Sequence, residues 1–257
     1  MQQLFPLVPA IQAAISYLLD QEVFVRRKPD GTPVSNIDID IQNAIVGLIS
    51  ENYPNDNIIA EEKDLVIASE TSNRYWVLDP IDGTENFILG KKEFSISLGL
   101  IEEGHFTEAF LAFPALKENY YAARGRGVLC NGKMFRPPRA TLQEMGKDII
   151  LCSRAKPRLE SLLQERGYHV QFFKCATYAL LMVMKRRSYL YFTINTKLYD
   201  IGPMAFIVSE SGGHVLDRGW KELNFSPEAP DIPCMAAMMN DTVPGSLYSL
   251  LHSDAVI

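Results

Sequence analysis

The stretch Trp76-Val-Leu-Asp-Pro-Ile-Asp-Gly-Thr-Glu-Asn-Phe87 indicates both the fold and the chemistry of this chain. Its first three residues are apolar and predict a buried strand that runs into Asp79, after which a tight turn follows. Pro80 fixes one backbone φ angle, and Gly83 allows a conformation that a side chain would disfavour. Asp79 and Asp82 can therefore converge, as the ligands of a hard metal ion must.

Composition places the chain among ordinary globular proteins. Its 257 residues are 47% hydrophobic and 22% charged, which is enough for a substantial core in one large domain or in two closely packed halves. The net charge of -6 disfavours a general binder of nucleic acid or of anionic membranes, since such proteins are normally basic. An acidic protein that acts on an anionic substrate needs local positive charge, and bound metal is one source.

Targeting and redox features favour a cytoplasmic protein. The first twenty residues have apolar side chains at helical spacing and no basic start, which predicts a core-facing helix rather than a signal peptide. No apolar run approaches the roughly 18 residues of a membrane span. The four cysteines form no Cys-x-x-Cys pair, so we expect reduced, structural thiols rather than a zinc ribbon or a redox motif.

The pattern of predicted strands and helices changes along the chain, which predicts two halves, residues 1–137 and residues 138–257. In the first half, apolar and small residues alternate over 94–100, and Asn131-Gly132 is a hairpin signal, so we expect an antiparallel sheet. The alternation predicts that this strand has one buried face. In the second half, strand-like and helix-like segments alternate. The predicted fold class is therefore α/β, with an antiparallel half packed on an α/β half.

A second predicted strand also ends in acids. The apolar segment Ile58-Ile-Ala60 runs directly into Glu61 and Glu62. Taken alone, such a pair most often lies at a solvated strand end. It repeats the strand-then-acid pattern of Asp79, however, and the repetition favours a place in the same site.

Two more acids occupy predicted helix starts. Asp38 lies three residues after Ser35, which is the spacing of a capping box. Asp200 precedes an apolar run that closes at Gly212, as an N-cap residue would. Helix capping alone explains either acid, and membership of the site is the alternative.

These acids offer oxygen ligands, with no histidine or cysteine set beside them. Oxygen ligands favour Mg²⁺, or Mn²⁺, over zinc. Mg²⁺ usually has a few carboxylate ligands, and water and substrate phosphate fill its other coordination positions. The expected substrate therefore carries phosphate. Gly83 and Thr84 can point backbone N–H groups at an anion, and the Thr84 hydroxyl can hold a water whose proton Glu61 accepts. In a two-metal site, the ions activate the water and stabilise the leaving oxygen.

Three segments together resemble the inositol monophosphatase family in their order and spacing. They are Glu61-Glu62, Asp79-Pro-Ile-Asp-Gly-Thr84, and Tyr199-Asp200 with Ser209-Glu-Ser-Gly-Gly213. The resemblance covers essentially the whole chain. It implies a layered α-β-α-β-α phosphatase that is usually a homodimer, needs two or three Mg²⁺ ions (Mn²⁺ being the alternative), and is often inhibited by Li⁺.

The resemblance implies a role for each matching residue. The metal ligands it implies are Glu61, Asp79, the carbonyl of Ile81, Asp82 and Asp200. The catalytic residues it implies are Glu61, Thr84 and Asp38. The substrate-binding residues that we expect are Gly83, Thr84, Lys174, Cys175, Thr193 and Asp200. Most metal ligands thus fall in the first half, and the second half contributes Asp200 and the substrate side.

Departures from the family pattern bear on the substrate. Thr193 stands where inositol-specific members carry a hydroxyl-binding glutamate, which disfavours inositol. Segments 28–35 and 152–156 look more like the 3′(2′),5′-bisphosphate nucleotidase and histidinol-phosphatase branches. A second phosphate could meet basic residues near the site, although surface cations are more often only solvated. These residues are Arg154, Lys156, Lys174 and Lys197.

The predicted function is Mg²⁺-dependent hydrolysis of a phosphomonoester of a small soluble metabolite. A 3′(2′),5′-bisphosphate nucleotide or an inositol phosphate is the expected substrate. The alternative is a catalytically weak protein that keeps the phosphatase fold to bind a phosphorylated ligand or to regulate. Neither prediction includes a nucleic-acid polymer or a membrane as a partner.

Overall fold

The computed structural model describes residues 2–69, 71–139, 147–152 and 157–240, with residues 247, 250 and 251. The helices in these ranges are α1 (Val8–Leu19), α2 (Asn36–Asn52), α3 (Thr84–Ile88), α4 (Pro157–Glu165), α5 (Ala176–Met184) and α6 (Leu198–Glu210). A short 3-10 turn, Phe5–Leu7, leads into α1.

Fifteen strands are assigned in the same ranges. In the first half they are β1 (Val25–Arg27), β2 (Pro33–Ser35), β3 (Asn57–Ala60), β4 (Leu65–Ile67), β5 (Arg74–Asp82), β6 (Ser95–Glu102), β7 (His105–Phe113), β8 (Glu118–Ala123), β9 (Val128–Cys130) and β10 (Lys133–Met134). In the second half they are β11 (Asp148–Leu151), β12 (His169–Gln171), β13 (Leu190–Lys197), β14 (His214–Leu216) and β15 (Asp231–Met238).

The larger sheet has eight strands in the order β10-β9-β8-β7-β6-β5-β3-β4. Its neighbours are antiparallel except for β3 and β5, which are parallel. Because these two strands run side by side in one direction, their carboxyl ends meet at the same edge of the sheet. The acids that follow β3 and end β5 are therefore neighbours.

Helices α1 and α2 cover the outer face of this sheet. Buried isoleucines recur on α2 at helical spacing, which is the stripe that a core-facing helix needs. They are Ile37, Ile41, Ile45 and Ile49. This stripe packs against Trp76, Leu78, Leu98 and other side chains of one sheet face in a single apolar cluster.

Helices α5 and α6 lie between the two sheets. Apolar residues cover nearly every side of both, because each contacts a sheet above and below. Phe106 wedges between β6 and α6, and a Cβ atom at Gly99 or Gly202 would lie 2.5 or 2.7 Å from its ring. Glycine at both positions thus allows α6 to lie close to the sheet.

The smaller sheet has the order β12-β11-β13-β15-β14. Its first three strands are parallel and the last three antiparallel. Helix α4 and Leu247, Leu250 and Leu251 pack on its outer face. The predicted α/β class with α-β-α-β-α layers is therefore confirmed. In the described ranges no helix has the length and apolar content that would let it cross a membrane.

One prediction about a strand was wrong. Strand β6 was expected to have one buried face, but Ser95 and Ser97 are 0% exposed, because helices cover both faces of the sheet.

Candidate active site

Asp79 and Asp82 reach the same face of the sheet through a β-bulge. On a regular strand, side chains three residues apart point to opposite faces. Here Asp79 pairs with Ser97 and Asp82 pairs with Ser95, so β5 advances three residues while β6 advances two. The extra residue is the bulge. It turns both carboxylates towards α5 and α6.

Gly83 shapes the turn after these acids. Its φ angle is +85°, a backbone conformation that would be strained for a residue with a side chain. A Cβ atom there would also lie 2.7 Å from the carbonyl oxygen of Glu93 and 3.0 Å from Cβ of Cys175. Glycine is therefore required by both conformation and space, and Thr84 follows as the first residue of α3.

Asp38 caps α2 and also contacts the turn. Its Oδ2 accepts from the Ser35 backbone N–H at 2.9 Å and from the Ser35 hydroxyl at 2.5 Å. Its Oδ1 accepts from Thr84 Oγ1 at 2.9 Å, and the same hydroxyl lies 2.9 Å from the carbonyl oxygen of Ile81. The two interpretations of Asp38 are thus compatible, since one oxygen serves the cap and the other holds Thr84.

Lys28 lies between the two glutamates that follow β3. Its Nζ is 2.8 Å from Glu61 Oε1 and 2.9 Å from Glu62 Oε1. Burial alone would lower the pKa of Lys28, but the charges and hydrogen bonds of both glutamates raise it. Glu62 is 2% exposed, so the solvated strand end was a wrong expectation there. Burial raises the pKa of Glu62 to about 6.

Asp79 is a buried acid of the cluster with one oxygen that lacks a hydrogen-bond donor among the described residues. It is 1% exposed, and its Oδ1 accepts no hydrogen bond from any described residue. Burial raises the pKa of Asp79 well above its usual range, and the negative charges of Glu61, Asp82 and Asp200 raise it further. A buried carboxylate among like charges is stabilised either by a proton or by a cation.

Asp82 is held by the start of α5. Its Oδ2 accepts from the Thr177 backbone N–H at 2.7 Å and from the Thr177 hydroxyl at 2.5 Å. The Cys175 thiol lies 3.1 Å from the same oxygen. Burial raises the pKa of Asp82, and the hydrogen bonds from Thr177 oppose that change. Sequence reasoning missed Thr177, because a threonine 95 residues away at the start of an apolar helix gives no signal.

Asp200 lies in the first turn of α6. It was predicted as the N-cap, but the cap is Lys197 and Asp200 is the third helical residue. Its Oδ2 accepts from the Lys197 backbone N–H at 3.0 Å and from Thr196 Oγ1 at 2.9 Å. Its charge raises the pKa values of Glu61, Asp79 and Asp82. The four acids are therefore electrostatic neighbours, although Asp200 comes from the other half of the chain.

The predicted substrate-side residues are dispersed around this cluster. Lys174 is exposed and its Nζ lies 2.8 and 3.0 Å from the two carboxylate oxygens of Glu85. Cys175, at the start of α5, is 4% exposed, and Thr193, on β13, is 1% exposed. Both side chains are therefore buried. Lys197 forms a 2.7 Å ion pair with Asp231. All four assignments stay predictions, and Arg154 and Lys156 lie outside the described residues.

The side chains of the acid cluster have the chemistry to bind a hard divalent cation. It offers only oxygens, and the buried Asp79 Oδ1 accepts no hydrogen bond from the described residues. Within the described ranges, however, no three Asp, Glu, His or Cys side chains already surround a point where a metal would be held. Lys28, Thr177 and Thr196 each donate a hydrogen bond to one of the acids, namely Glu61, Asp82 and Asp200.

Comparison with known proteins agrees with these features. The inositol monophosphatase family model matches residues 7–248. The fructose-1,6-bisphosphatase/inositol-1-monophosphatase of Thermotoga maritima is 34% identical over 196 residues, 74% of this chain and 73% of that protein. The Nus factor SuhB of Pasteurella multocida is 30% identical over 192 residues, 72% of this chain and 71% of that protein.

A solved structure gives the same fold. An IMPase/NADP phosphatase complexed with Mg²⁺ and phosphate superposes with a TM-score of 0.81 at 22% identity, covering 98% of this chain and 94% of that chain. The family match spans nearly all of the sequence, and the layered fold agrees with it. The chain therefore belongs to the inositol monophosphatase family and is a metal-dependent phosphatase.

Proposed function

We propose that this protein is a Mg²⁺-dependent phosphomonoesterase that acts on a small phosphorylated metabolite. The observation that carries the proposal is the convergence of four acids beside the Thr84–Asp38 hydrogen bond. The bulge in β5 brings Asp79 and Asp82 to one face, and Glu61 and Asp200 come within electrostatic reach of them. Such a concentration of buried negative charge suits a metal site better than a structural core.

The proposed ligands of Mg²⁺ share oxygen chemistry and position. They are Glu61, Asp79, the carbonyl of Ile81, Asp82 and Asp200. When bound, the cation supplies positive charge for phosphate and makes water a better nucleophile at neutral pH. The presence of two or three ions, with Mn²⁺ as a substitute, is part of this proposal, as is inhibition by Li⁺.

Thr84 and Glu61 share the handling of the attacking water. The single hydroxyl hydrogen of Thr84 is directed at Asp38 Oδ1 or at the carbonyl oxygen of Ile81. A lone pair of Thr84 Oγ1 is left to accept from water, which fixes the water's orientation. Glu61 takes the water's other proton as the new P–O bond forms. The ester P–O bond breaks, and its oxygen takes up a proton from solvent water and leaves as the alcohol. Burial raises the pKa of Glu61, although Lys28 opposes the rise, and a raised pKa suits a general base near neutral pH.

The Gly83–Thr84 turn is the proposed phosphate seat. Gly83 is held at φ +85° by its surroundings, and the backbone N–H groups that follow it start α3. Asn86 tightens the same turn by donating to the carbonyl oxygens of Glu93 and Phe173 at 2.8 and 2.7 Å. A rigid turn with directed N–H donors recognises phosphate at little entropic cost.

For the substrate, we propose a 3′(2′),5′-bisphosphate nucleotide or an inositol phosphate. The names of the Thermotoga relative and of the IMPase/NADP phosphatase include both monophosphate and more highly charged substrates. Lys174 and Lys197 form exposed ion pairs with Glu85 and Asp231. Exposed pairs contribute little stability, so a second substrate phosphate can replace the acid partner. A homodimer, on the family resemblance alone, and a cytoplasmic location complete the proposal.

A phosphate-release screen with Mg²⁺ tests the function. The panel contains inositol monophosphates, fructose 1,6-bisphosphate, 3′-phosphoadenosine 5′-phosphate and histidinol phosphate, each with wild type, Asp82→Asn and Asp148→Asn. We expect Mg²⁺-dependent release by wild type and Asp148→Asn, whose acid pairs with the His169 ring, and loss of release in Asp82→Asn.

Full activity of Asp82→Asn would contradict the proposed site. Absence of turnover on the whole panel would favour the alternative, a catalytically weak protein that binds a phosphorylated ligand or regulates. The Pasteurella relative is named as a Nus factor, which makes that outcome worth measuring directly.

A further inference from the structure

Thr177 donates two hydrogen bonds to Asp82, one more than the capping of a helix start requires. Its backbone N–H and its hydroxyl both donate to the same oxygen, Asp82 Oδ2, at 2.7 and 2.5 Å. A backbone N–H at the beginning of a helix needs an acceptor in any case. The hydroxyl is therefore the additional feature, and it lies on the side chain of a residue that is 0% exposed.

The hydroxyl of Thr177 is itself supported by β6. Ser95 Oγ lies 2.6 Å from Thr177 Oγ1, and Ser95 is also 0% exposed. Because an ionised carboxylate can only accept, Thr177 donates to Asp82 and the Ser95 hydroxyl donates to Thr177. A chain of hydrogen bonds thus runs from Ser95 through Thr177 to Oδ2 of Asp82.

This chain distinguishes the two oxygens of Asp82. Oδ2 receives the N–H and O–H of Thr177 and lies 3.1 Å from the Cys175 thiol. Three donors on Oδ2 fix the carboxylate plane, which leaves Oδ1 as the oxygen that can bind a cation. Orienting hydrogen bonds of this kind strengthen the binding of metals by carboxylates in other proteins.

A purely structural role explains the pair less well. Thr177 is the polar member among the buried residues of α5, which include Leu180 and Leu181, and Ser95 contacts it from β6. Valine at 177 and alanine at 95 would fill nearly the same space without burying hydroxyl groups, which need partners when buried. The hydroxyls satisfy one another and end on the acid, so their common target is Asp82.

We infer that Thr177, supported by Ser95, is a positioning residue that holds Asp82 by Oδ2 and so presents Oδ1 to a divalent cation. This inference rests on the proposed metal site, but it concerns the affinity for the cation and not the choice of substrate. It predicts that removing the hydroxyl weakens metal binding while the fold is retained.

Calorimetric titration of the purified protein with Mn²⁺ alone, without substrate, tests the inference. We expect Thr177→Val to raise the dissociation constant about tenfold to a hundredfold, and Thr177→Ser to restore it to within about threefold of wild type, because serine keeps the hydroxyl. Thr107→Val is the matched control. The Thr107 hydroxyl also donates to a carboxylate, Glu102, at 2.9 Å, and its loss should leave the Mn²⁺ affinity unchanged.

A double-mutant cycle adds a second measurement. Ser95→Ala should weaken Mn²⁺ binding by a smaller factor, and the double variant Ser95→Ala/Thr177→Val should bind no more weakly than Thr177→Val alone, because Ser95 acts through Thr177. Thermal unfolding in EDTA should show all variants folded, with midpoints near that of wild type.

Three results would overturn the inference. They are an unchanged Mn²⁺ affinity in folded Thr177→Val, an equal loss in Thr177→Val and Thr177→Ser, and absence of Mn²⁺ binding by wild type. Wild type that binds Mn²⁺ but hydrolyses no phosphate ester contradicts the proposed function and leaves this inference to be decided by the same titrations.

Discussion

The larger sheet buries two carboxylates in opposite ways. Glu108 on β7 is 3% exposed, and it accepts from the backbone N–H groups of Gln3, Leu4 and Phe5 and from the hydroxyl of Tyr121. Asp79 on β5 is 1% exposed, and its Oδ1 accepts from no described residue. One acid is surrounded by donors, and the other is surrounded by acids.

The contrast distinguishes a structural acid, Glu108, from Asp79, which we propose to be a metal ligand. The four donors around Glu108 compensate the desolvation of its charge and fasten the start of the chain to β7. Around Asp79 the charges of Glu61, Asp82 and Asp200 add to the desolvation and raise its pKa. A fold that keeps such an acid gives up stability for a site that a cation can complete.

The largest expected effect follows from Asp79→Asn. This substitution removes a buried negative charge from among three others, so the metal-free protein should become more stable, with an unfolding midpoint raised by several degrees. Phosphatase activity with Mg²⁺ should fall by about a thousandfold, the scale of losing several kcal/mol of metal-dependent stabilisation. Calorimetry in EDTA and a phosphate-release assay measure the two effects.

The prediction requires both results, a gain in stability without metal and a loss of phosphatase activity. A variant that is inactive and also less stable in EDTA would mean that Asp79 supports the fold as Glu108 does, and the contrast would fail. Mg²⁺ should raise the unfolding midpoint of wild type more than that of the variant, since binding to the folded state stabilises it.

Glu108→Gln should act in the opposite direction. The amide loses the charge and turns an N–H₂ group towards backbone donors, so we expect a loss of about 3 kcal/mol in the free energy of unfolding, from weaker charge-assisted hydrogen bonds. Urea unfolding measures it. Mn²⁺ affinity should stay at the wild-type value because Glu108 caps the amino-terminal segment, away from the acid cluster. Glu222→Gln, at an exposed acid paired with His214, is the matched control and should change stability little.

A smaller effect is expected from pH in the metal-free protein. Burial raises the pKa of Glu62 to about 6 from its ordinary value of 4.5. Between these values the folded state keeps a proton that the unfolded state has lost, so stability falls as pH rises from about 4.5 to 6 and then levels off. Glu62 contributes at most about 2 kcal/mol. The raised pKa values of Asp79 and Asp82 act in the same direction.

Urea unfolding in EDTA between pH 4 and pH 7.5 checks the direction. Glu62→Gln should flatten part of the slope, and wild type saturated with Mg²⁺ should be flatter still, because a bound cation takes the place of the protons. A metal-free protein whose stability rises over this range would contradict the assigned protonation of the cluster.

Local patterns in the sequence predicted much of the proposed site. Glu61 and Asp79 follow apolar strands, and the spacing of Ser35 and Asp38 is that of a capping box, which the structure contains. The signals are local because strand, turn and cap preferences are properties of a few neighbouring residues. The same local reasoning placed the cap of α6 three residues too late, since Asp200 is a good N-cap type but accepts from the true cap at Lys197.

The partners of the acids come from segments that are distant in the sequence. Lys28 reaches Glu61 and Glu62 across 33 and 34 positions, and Thr177 reaches Asp82 across 95. Neither residue type is unusual where it stands in the chain. Solvated lysines and helix-start threonines are common, so only the folded arrangement separates these from the rest.

By itself the sequence determined the fold class, the family and the oxygen-rich character of the site, because strand-then-acid motifs and apolar periodicity are local and survive without tertiary information. The tertiary structure decided how the acids meet. The pairing of β5 with β6 sets the bulge that puts Asp79 and Asp82 on one face, and the packing of α5 and α6 between two sheets brings Thr177 and Asp200 to that face. Register and layer packing depend on residues far apart in the chain, and no local pattern encodes them.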